Sequence, residues 1–225
     1  MKQNLVIFDF CETIANFQTA DAFVEFVLTK KPKSWRNFYY EKIISFLKKN
    51  YIIAICHKFF PKKNIEKRLR LFALRGIKQK ELLELGLNFH HEVVSKNYNQ
   101  QIISLLRTHK YDNDIIVVSS GGYDTYLKYF CKSEDIKYLN CTKIRFRNNK
   151  CKGFFDGSDC MFEEKLNQIN LLINKHKFTF EKKIVYSDSI TDMPLYKWAD
   201  EAFIVSAIEQ DWAFKNKFNQ IIINK

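Results

Sequence analysis

Three polar side chains with the potential for chemistry, Asp9, Ser120 and Asp188, each stand at the end of an apolar run of the chain. A carboxylate at the end of a buried strand is well placed to act as a nucleophile or as a ligand of a metal ion. Cys11 follows Asp9 by two residues, where a second carboxylate would be more usual. The sequence therefore raises the question of what this thiol does beside a reactive carboxylate.

The three runs that end in these side chains have the composition of buried strands. Asn4–Phe10, Asp114–Ser120 and Lys183–Asp188 are rich in apolar residues, Ile and Val above all. Their apolar residues are continuous rather than alternating, which is typical of a parallel sheet covered by helices on both faces. Ligands of such sheets bind beyond the carboxyl ends of the strands. We therefore expect the three terminal side chains to converge at one edge of the sheet.

The long stretch between the first two predicted strands, residues 16–110, has helical periodicity and little strand character. Thr19 is the predicted N-cap of its first helix. Later helices are predicted at Trp35–Lys49, Asn64–Leu74, Gln79–Asn88 and Asn99–Arg107. The sequence thus predicts an α/β fold in which a Rossmann-like, three-layer parallel-sheet core (1–15 and 111–225) carries an inserted helical cap domain.

The rest of the chain has the elements needed to complete the core. After Ser120 we expect a glycine turn that leads into a helix, and Lys137–Phe155 reads as two or three short strands with a hairpin turn at the sequence RNNK. A helix is predicted around Phe162–His176. Two further strands are predicted at Ala202–Ser206 and Gln220–Asn224.

Composition places few limits on the partners of the protein. The 37 Lys and Arg residues outnumber the 25 Asp and Glu residues and give a net charge of +12, which allows an anionic ligand. Lys, Asn, Ile and Phe are all abundant, so a coding bias explains the charge more simply. The 21 Phe and 11 Tyr residues fit helical core positions rather than a base-stacking platform. We therefore predict no nucleic-acid partner.

Cysteine use and hydropathy favour a cytoplasmic protein. The six cysteines form no CxxC pair, and no secretory signal precedes the first strand, so reduced thiols are expected. The longest apolar run, near Tyr51–Cys56, is far too short to cross a bilayer. We predict no membrane partner, and the sequence leaves the oligomeric state open.

Four motifs in order resemble the haloacid dehalogenase superfamily of phosphohydrolases, in particular its phosphoserine-phosphatase-like branch. They are FDFCET, VVSSGGY, the lysine of EEKLNQI, and YSDSITDMPLY, and together they extend from Asp9 to Leu195. The last motif is the most specific, because Asp188, Asp192 and Pro194 match the D-x-x-x-D-x-P pattern of that branch.

The resemblance implies a role for each of these residues. Asp9 would be the nucleophile that forms an aspartyl-phosphate. Mg²⁺ would be held by Asp9, Asp188 and the backbone carbonyl of Cys11, and Asp192 would complete or orient this metal site. The remaining motifs would bind the phosphoryl oxygens through the Ser120 hydroxyl, the Gly121 N–H and the Lys165 ammonium.

Three positions depart from the family pattern. Cys11 replaces the aspartate that usually protonates the leaving group and then activates water. Gln18 stands nine residues after the nucleophile, where phosphoserine phosphatases carry a glutamate for the substrate ammonium, so we expect it to contact a neutral or amide-bearing substrate. Phe162 replaces a glycine that usually precedes the motif lysine by three residues.

These departures leave three functions open. The first is a phosphatase for a small phosphomonoester such as a sugar, polyol or amino-alcohol phosphate, in which Cys11, water or the substrate transfers the proton. The second is a phosphotransferase or specialised hydrolase whose aspartyl-phosphate is hydrolysed slowly. The third is a non-catalytic protein that binds a phosphorylated metabolite. The complete set of Asp9, Lys165, Asp188 and Asp192 favours the first.

Overall fold

The computed structural model describes residues 3–31 and 64–223, together with the isolated positions 42, 45 and 49. Apart from those three positions, the predicted helix Trp35–Lys49 lies outside the described residues. The apolar run Tyr51–Cys56 also lies outside them.

A parallel sheet of six strands forms the centre of the described chain. The strands are β1 (Leu5–Phe8), β2 (Ile115–Tyr123), β3 (Tyr138–Thr142), β6 (Lys183–Ser187), β7 (Glu201–Ser206) and β8 (Asn219–Ile222). Their spatial order is β3-β2-β1-β6-β7-β8, and every neighbouring pair is parallel. The predicted α/β class is confirmed, and the three apolar runs are three adjacent inner strands, β2, β1 and β6.

Burial on both faces explains why β1 is apolar at every position. Leu5 and Ile7 belong to one hydrophobic cluster, whereas Val6 and Phe8 belong to the other, because successive side chains of a strand point to opposite faces. All four side chains are fully buried. The sheet is therefore the middle of three layers, and β1 is held between β2 and β6.

Helices cover the two faces of this sheet. In chain order they are α1 (Thr19–Lys30), α2 (Ile65–Phe72), α3 (Gln79–Glu92), α4 (Gln100–Tyr111), α5 (Asp124–Ser133), α6 (Glu163–His176), α7 (Met193–Trp198) and α8 (Asp211–Lys215). The predicted helices at 64–74, 79–88 and 99–107 are confirmed with shifted ends. Thr19 is the first helical residue rather than the N-cap, a position that Gln18 holds. No helix in the described chain is long and apolar enough to span a membrane.

The last of the long helices predicted between the first two strands lies on the sheet. Ile102 and Leu106 of α4 are fully buried in the same cluster as Val6 and Phe8 of β1. His109, at the end of α4, lies 3.0 Å from the Tyr186 hydroxyl of β6. The division into a core domain and a cap domain of residues 16–110 stays a prediction. Within that range, α4 packs closely on the sheet.

A hairpin fixes α2 and α3 to the rest of the molecule. Strands β4 (Ile144–Arg147) and β5 (Lys150–Phe155) are antiparallel, and their two turn residues, Asn148 and Asn149, have φ values of 53° and 56°. These left-handed values are those of a type I′ turn, and the hairpin predicted at the sequence RNNK is confirmed. The link between α2 and α3 pairs with β5, since the Gly76 N–H donates to the Cys151 carbonyl at 2.8 Å.

The cysteines of the described chain form no disulfide with one another. Cys131, Cys141, Cys151 and Cys160 are buried, whereas Cys11 is partly accessible. Burial raises the pKa of both Cys131 and Cys160 to about 12. These buried thiols are therefore protonated packing groups at neutral pH.

Candidate active site

The end of β1 fixes Asp9 at the carboxyl edge of the sheet. The Asp9 N–H donates to the Tyr186 carbonyl of β6 at 2.8 Å, so the backbone is still held as in the sheet. The chain then turns away through the tight turn Phe10–Ile14, in which Glu12 has a φ of 56°. This sharp turn leaves the Asp9 side chain at a pocket mouth, where 6% of the residue is exposed.

Lys165 joins two carboxylates in the interior of the site. It lies in the first turn of α6, and its Nζ is 2.7 Å from Asp9 Oδ1 and 2.6 Å from Asp192 Oδ2. The Ser187 hydroxyl donates to the same Asp192 oxygen at 2.5 Å. Although burial opposes its charge, the carboxylates of Asp192 and Asp9 raise the pKa of Lys165 well above its usual value. Lys165 is therefore a fixed cation.

Asp188 lies beside Asp9, just beyond the end of β6. Its Oδ1 accepts a hydrogen bond from the Thr13 hydroxyl at 3.2 Å, and both aspartates line one pocket. Burial, together with the negative charge of Asp9, raises the pKa of Asp188 to about 8. Burial also raises the pKa of Asp9 to about 6, even though Lys165 opposes this shift. The Lys165 charge alone thus does not balance the carboxylates of Asp9, Asp188 and Asp192.

This charge imbalance and the available donors fit a hard divalent cation. Among the described residues, no three His, Cys, Asp or Glu side chains are arranged to hold a metal by themselves. The carboxylates of Asp9 and Asp188 and the backbone carbonyl of Cys11 would supply three oxygen ligands, which is what Mg²⁺ requires when it retains water. Asp192 already accepts hydrogen bonds from Lys165 and Ser187, so a metal role for it remains a prediction.

Metal-free protein is expected to lose stability as the pH rises from about 4 to about 8. The ordinary pKa of an aspartate side chain is 3.8, whereas in the folded protein the pKa of Asp9 is raised to about 6 and that of Asp188 to about 8. In this range the folded state binds more protons than the unfolded state, so deprotonation favours unfolding. Thermal unfolding in EDTA at several pH values measures the effect, and added Mg²⁺ should stabilise the protein increasingly towards pH 8.

The matched control is Asp188→Asn, which removes the group with the larger shift and should flatten the pH dependence in EDTA. Mg²⁺ should stabilise this variant less than it stabilises the wild type. Equal pH slopes for the variant and the wild type would show that Asp188 is not the group responsible.

Gly121 lines the pocket, and its neighbour Ser120 is fully buried and is not part of the pocket lining. The predicted glycine turn is wrong, because β2 continues through an irregular pairing to Tyr123 and α5 begins at Asp124. The Ser120 hydroxyl accepts the Gly122 N–H at 3.0 Å. A Cβ atom on Gly121 would lie 3.0 Å from Met161 Cγ, so the absence of a side chain keeps this wall of the pocket open.

The Cys11 thiol is held by hydroxyl groups. Its Sγ lies 3.0 Å from Thr19 Oγ1 and 3.6 Å from Ser120 Oγ, and Thr19 Oγ1 lies 2.7 Å from the Tyr126 hydroxyl. Burial and the nearby charge of Asp9 raise the pKa of Cys11. The thiol is therefore protonated at neutral pH and available as a proton donor, in the same pocket as Asp9.

The other two departures from the family pattern also lie near this pocket. Gln18 lines it, and its amide nitrogen donates to the Glu12 carboxylate. Phe162 directly precedes α6 and has φ 55° and ψ −140°, a backbone conformation that glycine adopts far more easily than a bulky residue. The phenylalanine thus occupies a glycine-like conformation three residues before Lys165.

The pocket has a volume of about 180 Å³, which suits a small ligand. Asp9, Asp188 and Lys165 are among the residues that line it. Residues of α1, of the first turn of α2 and of the position directly before α2 also line the pocket, namely Ala20, Asp21, Glu66, Lys67 and Asn64. The structure therefore brings together every site residue that the sequence suggested: Asp9, Cys11, Gln18, Ser120, Gly121, Lys165, Asp188 and Asp192.

Sequence reasoning missed three contributors to this site. Thr19 was predicted only as a helix cap, but its hydroxyl holds Cys11. Ser187 lies within the motif YSDSITDMPLY but had no predicted role, and it donates to Asp192. Lys67 carried no signal at all, because lysines are frequent on the helices of this chain.

Comparisons with known proteins bear on the family and the fold of the chain. The family model for haloacid dehalogenase-like hydrolases matches residues 6–197. No curated protein sequence matches the chain. The fold is similar to that of a Bordetella pertussis Tohama I protein of unknown function, with a TM-score of 0.81 and 15% identity over 98% of this chain and 99% of that chain.

Two further solved structures are also similar. A phospho-aspartyl intermediate analogue of phosphoserine phosphatase has a TM-score of 0.66 and 15% identity over 100% of this chain and 95% of that chain. A phosphoserine phosphohydrolase-like protein from Francisella tularensis subsp. tularensis SCHU S4 has a TM-score of 0.64 and 17% identity over 99% and 96%. At these identities the likeness shows a shared fold.

Proposed function

The chain belongs to the haloacid dehalogenase-like hydrolase family, and we propose that it is a Mg²⁺-dependent phosphatase acting on a small phosphomonoester through an aspartyl-phosphate on Asp9. The observation that carries the proposal is the position of Asp9, which lies at the pocket with one oxygen fixed 2.7 Å from Lys165. Its neighbours are the groups that phosphoryl transfer needs: fixed positive charge, oxygen ligands for a metal, and hydroxyl and N–H donors.

The first half of the reaction forms the covalent intermediate. An oxygen of Asp9 attacks the phosphorus, and the bond from phosphorus to the ester oxygen breaks in line with it. Lys165 keeps the Asp9 carboxylate oriented, while Ser120 and the Gly121 N–H bind the equatorial oxygens. Asp9, Asp188 and the Cys11 carbonyl would hold Mg²⁺, which would supply positive charge to the transferring group.

The leaving oxygen must gain a proton, and a water must then lose one. The protonated Cys11 thiol is the side chain at this position, and its hydroxyl partners keep it next to the pocket. A thiol is a weaker hydrogen-bond partner than a carboxyl group. Hydrolysis of the aspartyl-phosphate is therefore the step that this substitution slows most, and water or the substrate completes the proton transfer.

The substrate proposed for this pocket is a small alcohol phosphate. The volume of about 180 Å³ excludes large phosphorylated macromolecules from full enclosure. Gln18 presents an uncharged amide to the pocket, which suits a neutral or amide-bearing alcohol better than a free amino acid. Sugar and polyol phosphates meet both conditions, whereas an amino-alcohol phosphate is small enough but carries a charged ammonium. Similarity to a phosphoserine phosphatase structure supports the reaction class. The pocket supports a substrate other than phosphoserine.

One observation favours a second candidate. Cys11 replaces the usual acid–base group. If no other group transfers the proton, the protein would act as a phosphotransferase or would bind a phosphorylated metabolite without turnover. The retained contacts among Asp9, Lys165 and Asp192 favour catalysis, since simple binding requires no such fixed nucleophile.

A panel of small phosphomonoesters tests the proposed function directly. Phosphate release is expected for at least one neutral alcohol phosphate, only with Mg²⁺, and should stop when EDTA removes the metal. Phosphoserine serves as the charged comparison and should react more slowly. A panel without any Mg²⁺-dependent release would favour the binding role.

A further inference from the structure

Lys67 is a buried lysine that none of the roles above uses. It lies on α2, only 5% of it is exposed, and it lines the same pocket as Asp9 and Lys165. Lysine is among the residues least often buried, because its charge is costly to remove from water. A charged lysine at this position therefore requires partners that stabilise its ammonium. The presence of that charge at the pocket also requires a functional explanation.

The ammonium of Lys67 is held rigidly on the core of the protein. It forms an ion pair with Asp159 and lies 3.3 Å from the Thr142 hydroxyl, which donates to the same Asp159 oxygen at 2.7 Å. The rings of Tyr123 and Phe155 lie 5.5 and 5.2 Å from its Nζ and add cation–π attraction. Contacts on several sides thus fix the position of this charge.

The orientation of this group bears on the reaction. Asp159 lies behind the ammonium and is not part of the pocket lining, whereas Lys67 itself borders the pocket. The Lys67 Nζ lies 3.4 Å from the place that a Cβ atom on Gly121 would occupy. It therefore presents positive charge beside the segment that would bind phosphoryl oxygens, on the wall formed by α2.

We propose that Lys67 is a substrate-binding residue whose ammonium binds an anionic oxygen of the bound phosphomonoester beside Gly121. The inference rests on the proposed function for the identity of the ligand and on the pocket for the position of the charge. An ammonium carries three donors, and among the described residues its oxygen partners are Asp159 and Thr142. The remaining donor is available to the substrate, so α2 and the core contact the phosphoryl group together.

Calorimetric titration with inorganic phosphate in the presence of Mg²⁺ tests this without turnover. Lys67→Met keeps the aliphatic stem but removes the charge, and it should weaken phosphate binding about 10–100-fold, as expected for a charge-assisted hydrogen bond. Lys67→Arg should recover much of the affinity. Lys175→Met, which removes an exposed lysine of α6, is the matched control and should bind phosphate like the wild type.

Asp159→Asn separates binding from a structural role. This variant breaks the same ion pair but leaves the ammonium at the pocket, so phosphate affinity should be retained or increased. If Lys67 only ties α2 to the core, Asp159→Asn and Lys67→Met should weaken phosphate binding and lower thermal stability alike, which would overturn the proposal. Comparison of the two variants also covers the case in which Lys67→Met folds poorly.

The proposal and the proposed function fail differently. Ester hydrolysis by the wild type, combined with unchanged phosphate affinity and KM in Lys67→Met, would overturn the role of Lys67 and leave the phosphatase intact. Weaker phosphate binding by Lys67→Met in a protein that hydrolyses no ester would support the binding role and contradict the phosphatase. Failure of the wild type to bind phosphate with Mg²⁺ would overturn the role of Lys67.

Discussion

Asp9→Asn is expected to abolish measurable phosphate release, with a fall of at least about 10⁴-fold, because the amide cannot form the aspartyl-phosphate on which the rate depends. The substitution preserves the shape of the side chain. Lys165, whose Nζ lies 2.7 Å from Asp9 Oδ1, therefore keeps a neighbouring side chain of the same shape, but that side chain is no longer negatively charged. Steady-state phosphate release at saturating Mg²⁺ measures the effect.

Asp112→Asn is the matched control for this experiment. Asp112 is exposed at the end of α4, and removal of its charge should leave the rate unchanged. A circular dichroism melt should show that Asp9→Asn folds like the wild type. If Asp9→Asn retained a rate within tenfold of the wild type, catalysis through Asp9 would be wrong.

Cys11→Asp is expected to raise the rate of phosphate release by about 10²–10⁴-fold, the usual worth of general acid–base catalysis. The new carboxyl group would lie near the Thr19 and Ser120 hydroxyls, which contact the thiol at 3.0 and 3.6 Å and can donate hydrogen bonds to a carboxylate. The gain should be largest for hydrolysis of the intermediate, since a carboxylate activates water better than a protonated thiol.

Cys11→Ala is the companion to this variant, because it removes the thiol and adds no acid–base group. A lower rate in Cys11→Ala would assign proton transfer to the thiol, whereas an unchanged rate would assign it to water or substrate. If Cys11→Asp were no faster than Cys11→Ala, although both fold, proton transfer would not limit this enzyme and the account of Cys11 would be incorrect.

The sequence predicted the parallel sheet well because burial leaves a clear pattern. Leu5–Phe8 is apolar at every position since both faces of β1 are covered, and the polar residue that follows marks the edge of the sheet. The ends of helices were harder to place. Thr19 has the residue type of an N-cap, but its hydroxyl contacts Cys11 and Tyr126 instead of the helix backbone.

The carboxylate cluster was also predictable from motifs, whereas the wall formed by α2 was not. Asp9 and Asp188 lie close together because adjacent parallel strands end at one edge, a rule that requires no knowledge of side-chain contacts. Lys67 reaches the pocket through the packing of α2 on the hairpin and through its pair with Asp159, residues far apart in the chain. Its local sequence, IEKRLRLF, indicates only an amphipathic helix.

Trapping of the covalent intermediate tests the central claim most directly. Wild-type protein is mixed with Mg²⁺ and a phosphomonoester that it hydrolyses, quenched in acid, digested and examined by mass spectrometry. We predict one phosphoryl group on the peptide that contains Asp9, removed by hydroxylamine and missing in Asp9→Asn. The mechanism would be contradicted if the wild type and the Asp9→Asn variant released phosphate equally fast and no such adduct formed.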